Sequence, residues 1–123
     1  MTQPLALLFY ERLMPGSQLV NRLQDLKYRV LTVNNITTLA ATARREQPLF
    51  LMVELDSRGE VMAAIEKIKN DSPTSHLPII AFAPDQKADL FAAAQEAGAS
   101  LTIGETALAS HLPQLLDQAM HLD

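Results

Sequence analysis

Glu54 and Asp56 close the stretch Pro48-Leu49-Phe50-Leu51-Met52-Val53-Glu54-Leu55-Asp56, which is otherwise apolar and of strand length. Carboxylates at the carboxyl end of a strand sit where open α/β sheets bind ligands and do chemistry. Glu11 and Glu105 follow two further apolar runs and would stand at matching edges. If Glu11, Glu54 and Glu105 converge, the like charges need raised pKa values, outward rotamers or a bound cation. Side chains splayed into water are the simplest of these, so no metal site is expected. Other chemistry is sparse. The chain has no cysteine, hence no thiolate nucleophile, disulfide or Cys-based metal site. His76, His111 and His121 have no ligand spacing among them. No serine lies in a G-x-S-x-G elbow, and Gly16, Gly59, Gly98 and Gly104 are isolated, so no phosphate-cradling loop is present. These residues supply no catalytic constellation, and neither enzyme activity nor a cofactor is expected.

Composition agrees with a single domain spanning 1–123, with 48% hydrophobic and 20% charged residues. A net charge of −4 argues against nucleic acid as a direct partner, and Arg44-Arg45 is too short for a basic patch. The opening Met1-Thr2-Gln3-Pro4 lacks a basic leader, and no run reaches the ~20 apolar residues of a membrane span. The expectation is a cytoplasmic protein with no membrane partner.

Alternating strands and helices must position the carboxylates. Leu5–Phe9 predicts a first strand buried on both faces. Ser17 is the candidate N-cap of a helix carrying Leu19, Val20, Leu23 and Leu26 inward. Residues 28–33 predict the second strand. Asn34-Asn35 then cap a helix with Ile36, Leu39, Ala40 and Ala43 on one face. Residues 49–55 form the third strand, and Asp56 or Ser57 caps a helix over 58–69 that buries Val61, Ile65 and Ile68. A fourth strand over 77–82 follows, entered through Pro78, where a missing N–H is tolerated. Asp85 is placed as the cap of the next helix, over 86–96, which ends before Gly98. A weak fifth strand spans 100–103. The last helix points Leu108, Leu112, Leu115, Leu116 and Ala119 inward; it starts between Thr106 and Ser110, with Pro113 in its first turn or kinking it. Repeated β–α units of this length predict a parallel sheet with helices on both faces and right-handed crossovers.

The run Pro78-Ile79-Ile80-Ala81-Phe82-Ala83 and the later Ala97-Gly98-Ala99-Ser100 resemble the receiver domains of two-component response regulators. Their fourth strand reads roughly P-I-I-x-L-T/S-A, and their loop and fifth strand A-G-A-x-x-Y-L-x-K-P. Pro48 to Asp56 resembles the family's P-D-L-I-L-L-D third strand, and Lys27-Tyr28-Arg29-Val30 its G-Y-x-V second strand. The resemblance runs over the whole chain. It implies a flavodoxin-like, doubly wound five-stranded parallel sheet in the order 2-1-3-4-5, and a role in bacterial signalling or transcriptional regulation.

The resemblance also implies a phosphoryl-transfer site, in which acids hold Mg²⁺, a third-strand Asp accepts the phosphoryl group, and a hydroxyl and a Lys contact its oxygens. Carried over, the acid pair falls on Tyr10 and Glu11, the acceptor on Glu54, the hydroxyl on Ala83 and the Lys on Glu105. The switch aromatic falls on Thr102. Glu54 is one methylene longer than Asp, Ala83 donates nothing, and Glu105 replaces a cation by a like charge. Losing one such contact costs roughly 3–4 kcal/mol of transition-state stabilisation, and several are lost together. The expectation is therefore a degenerate pseudo-receiver that is not phosphorylated by the family mechanism. Asp56 is the alternative acceptor; its competing role is the helix cap. Glu54 could also mimic a phosphorylated state, but its expected place is a partly solvated edge.

A protein partner is expected, either a signalling protein or effector domain or a second copy of the chain. The receiver face of fourth helix, fifth strand and fifth helix would here use Asp89, Ala92, Ala93, Glu96, Thr102 and Glu105. Binding of a small molecule or a cation at the strand ends is the competing expectation.

Overall fold

The apolar runs fold as the strands they predict. A computed structural model describes residues 4–10, 13–55 and 59–120. The strands are β1 (Leu5–Phe9), β2 (Arg29–Val33), β3 (Phe50–Glu54), β4 (Ile79–Ala83) and β5 (Leu101–Gly104). The helices are α1 (Leu13–Asp25), α2 (Leu39–Glu46), α3 (Gly59–Asn70), α4 (Ala88–Ala97), α5 (Glu105–Ser110) and α6 (Leu112–Met120). The sheet is parallel throughout, in the order β2-β1-β3-β4-β5.

Every residue of the central strands β3 and β4 is buried, which is why their sequences run apolar without alternation. Strand pleating still sorts them onto two faces. Leu51, Val53, Ile79, Ala81 and Ala83 pack under α2, α3 and α4, where Leu39, Ile65, Ile68 and Leu90 meet them. Phe50, Met52, Ile80 and Phe82 pack on the other face under α1, α5 and α6, against Leu19, Leu23, Leu108, Leu112 and Leu116. Tyr28 adds an edge-on ring contact to Phe50, with centroids 5.2 Å apart.

Several boundaries differ from the sequence expectations, each for a local reason. Helix α1 begins at Leu13, so Ser17 lies within the helix and not at its cap; Pro15 falls in the first turn, where its missing N–H costs nothing. Lys27 takes a left-handed φ of 72°, which closes α1 and delays β2 to Arg29. Asn35 does cap, its Oδ1 accepting from the Thr37 N–H at 3.1 Å, but the turn it caps is a short 3₁₀ segment ahead of α2. Thr74 Oγ1 donates to the Ile68 carbonyl at 2.7 Å and holds the end of α3, so β4 starts only at Ile79. Gly98, at φ 118°, ends α4 as expected and lies against the Lys69 side chain. The last helix is two helices. Pro113 has no N–H to give the Ala109 carbonyl, and the chain breaks at His111 before α6.

Candidate functional site

The carboxyl ends of the five strands form one edge, and the residues carried over from the sequence resemblance distribute along it. Tyr10 follows β1, half-buried against the α1/α6 layer, its N–H bonded to the Val33 carbonyl at 3.2 Å. Glu11 and Asp56 lie outside the described residues, so the structure places neither the second metal-site acid nor the alternative acceptor.

Glu54 ends β3 opposite Phe82, and strand alternation turns it to the face of Phe50 and Met52. It is 5% exposed, which corrects the expectation of a partly solvated position. Ala83 ends β4, fully buried on the opposite face and paired with Gly104 of β5. The hydroxyl position of the resemblance is thus filled by a methyl group inside the core. Thr102 is half-buried, and its hydroxyl accepts from the Gln95 side-chain amide at 3.0 Å, which ties β5 to α4.

Glu105, the first residue of α5, lines a cleft of about 370 Å³ between α1 and the α5/α6 pair, together with Gln18, Arg22, Leu108 and Leu112. Arg22 on the facing wall gives the cleft one charge of each sign. Among the described residues no group of three His, Asp or Glu side chains could hold a metal ion. His76 and His111 are exposed, and His121 lies outside the described residues.

Asp85 departs from its sequence expectation. The following helix α4 has Lys87 at its N-cap, without a capping side chain. The Asp85 carboxylate reaches instead to α5, where Oδ1 accepts the Thr106 N–H at 3.1 Å. Hydrogen bonds from the Thr106 hydroxyl and N–H hold its pKa below the usual aspartate value. The signal available in the sequence was indirect: Ile103-Gly104-Glu105 offers no N-cap side chain of its own, which leaves room for an acceptor from elsewhere.

On the α4–β5–α5 side, Asp89, Ala92 and Glu96 are exposed and Ala93 is half-buried, as their spacing from Ala94 implies. A shallow depression of about 460 Å³ runs between α4 and α5, lined by Asp85, Phe91, Gly104, Ala107 and His111 among others. No described helix is long and apolar enough to cross a membrane.

Neither a protein-family model nor a curated protein matches the chain. Solved structures do. A response regulator of Thermotoga maritima superposes with a TM-score of 0.80 at 18% identity, covering 98% of each chain. A chemotaxis response regulator of Vibrio cholerae gives 0.82 at 14% identity, over 96% of this chain and 99% of that one. The signal receiver domain of a modulated diguanylate cyclase from Desulfovibrio desulfuricans gives 0.78 at 20% identity, over 97% and 94%. At these identities the likeness establishes the fold, which is the flavodoxin-like receiver fold.

Proposed function

We propose that this chain is a receiver-type domain of bacterial two-component signalling that works without phosphorylation, as a protein–protein interaction or dimerisation module. One observation carries the reading. At the ends of β4 and β5, where the resemblance calls for a hydroxyl and a Lys on the phosphoryl oxygens, this chain has a fully buried Ala83 and the acidic Glu105. A phosphoryl group would meet a methyl and a like charge there, and neither side chain donates a hydrogen bond to stabilise the transition state. Glu54 supports the same reading, since its extra methylene displaces the carboxylate from in-line geometry. The proposed working surface is the α4–β5–α5 face, with Asp89, Ala92, Ala93, Glu96, Thr102 and Glu105 as contact residues. A cytoplasmic location follows from this role.

Incubation with acetyl phosphate and Mg²⁺, followed by intact mass, tests the reading. The expected outcome is no gain of about 80 Da, the mass of one phosphoryl group. An adduct that disappears in Asp56→Ala would overturn it and make Asp56 a displaced acceptor. An adduct that survives Asp56→Ala but not Glu54→Gln would overturn it in favour of Glu54.

A further inference from the structure

We propose that Asp85 is a built-in latch, a side chain that ties the β4–α4 loop to the first turn of α5 and fixes the α4–β5–α5 face in one arrangement. The contact joins positions 21 residues apart, through Asp85 Oδ1 and the Thr106 N–H at 3.1 Å. It serves α5 as a cap from outside the helix, because the residue at the helix's own N-cap is Gly104, which has no side chain to offer.

Gly104 is the second observation. Its φ of −75° and ψ of 154° are open to any residue, so backbone conformation does not call for glycine. Space does. A Cβ at this position would overlap Asp85 Oδ1 and lie 3.3 Å from Asp85 Cα. The side chain missing at 104 is the room the Asp85 carboxylate occupies.

A third observation is a parallel tie farther along α4, where the Gln95 amide donates to the Thr102 hydroxyl at 3.0 Å. The loop between Asp85 and α4 is short and internally bonded, with Lys87 N–H to the Pro84 carbonyl and Leu90 N–H to the Lys87 carbonyl, each 3.0 Å. Helix α4 is therefore fastened to the β5–α5 unit near both ends. The anion in this contact is the chain's own Asp85 carboxylate, and it links the β4–α4 loop to α5 with no added group. The functional meaning of the latch rests on the phosphorylation-independent reading.

Amide exchange and chemical shifts of the full chain test the latch without any phosphodonor. Two variants break it by different routes: Asp85→Ala removes the carboxylate, and Gly104→Ala expels it while leaving Asp85 in place. Both are expected to speed exchange at Thr106 severalfold and to move amide resonances in both 85–91 and 104–108, with far-UV circular dichroism retained. In the wild type, the Thr106 amide shift should follow a titration with its midpoint below the ordinary aspartate value. Among the described residues, Lys87 on the same loop, Glu105 next to Thr106 in sequence and His111 on the lining of the depression are charged or titratable groups close to this contact. A His111→Gln background removes the imidazole from that titration. Unchanged Thr106 exchange in both variants, or shifts confined to one segment, would overturn the latch. A phosphoryl adduct in the mass experiment would remove the functional reading and leave the latch to be decided by these amides alone.

Discussion

Lys27 shows how a single residue departs from its local preference and what that costs. At φ 72° it occupies the left-handed region, where a Cβ crowds the following carbonyl. The turn it makes lets the Tyr28 N–H reach the Leu23 carbonyl at 3.1 Å and closes α1. In the receiver resemblance this position is a glycine. Lys27→Gly should therefore raise stability by about 0.5–1 kcal/mol, the relief of left-handed strain less the extra freedom glycine has in the unfolded chain. Urea unfolding checks it: the midpoint should rise at unchanged m, and a fall would mean the lysine side chain makes a contact worth more than the strain.

At the scale of elements, the joints decide more than the helices and strands they connect. Thr74 is 1% exposed, and its hydroxyl serves the Ile68 carbonyl in the last turn of α3. Thr74→Val keeps the shape but leaves that buried carbonyl without its donor, so a loss of about 1–3 kcal/mol is expected in thermal or urea unfolding. Conservation of stability would mean that water reaches the carbonyl. The joints also mark the limit of what the sequence made legible. β3 and β4 were readable because a strand covered on both faces must be apolar along its length, and Val61, Ile65 and Ile68 because helical spacing alone puts them on one face. The starts of α1 and β2 were not, because Pro15 and Lys27 act through backbone geometry that no periodicity reports. The break before α6 was half legible, in Pro113, whose missing N–H forces either a first-turn position or a kink. Asp85 was readable as a cap but not as the cap of α5, since the helix it serves is adjacent only after β4 and β5 have paired. At the candidate site, the burial of Glu54 was not legible, since a carboxylate ending an apolar strand reads equally as a solvated edge.

Across the whole molecule, the receiver fold stands on two well-filled core layers, and the carboxyl ends of β3, β4 and β5 lead into a buried Glu54, a buried Ala83 and the half-buried Glu105. The Asp85–Thr106 contact at this edge makes one contribution to the pH dependence of folding. Asp85 has its folded pKa lowered, by the Thr106 hydroxyl first and the Thr106 N–H second. Such a group binds its proton more readily in the unfolded chain, so its contribution is fully present above the ordinary value of 3.8 and is lost as pH falls through the lower folded value. Wild type and Asp85→Asn should accordingly differ in urea midpoint at pH 7, and the gap should narrow below about pH 4. A gap of constant size down to pH 3 would show that the negative charge plays no part. Because the carboxylate is solvent-exposed, added salt should reduce the same gap.

The space that Gly104 cedes to the Asp85 carboxylate also bears on how such a sequence can drift. A larger residue at 104 is blocked while Asp85 points into that space, and a lost carboxylate at 85 leaves α5 uncapped unless another acceptor arrives. Each position thus limits what the other can become. Among descendants of this chain, aspartate at 85 and glycine at 104 should be inherited as a pair and replaced as a pair, a correlated history written by one oxygen atom.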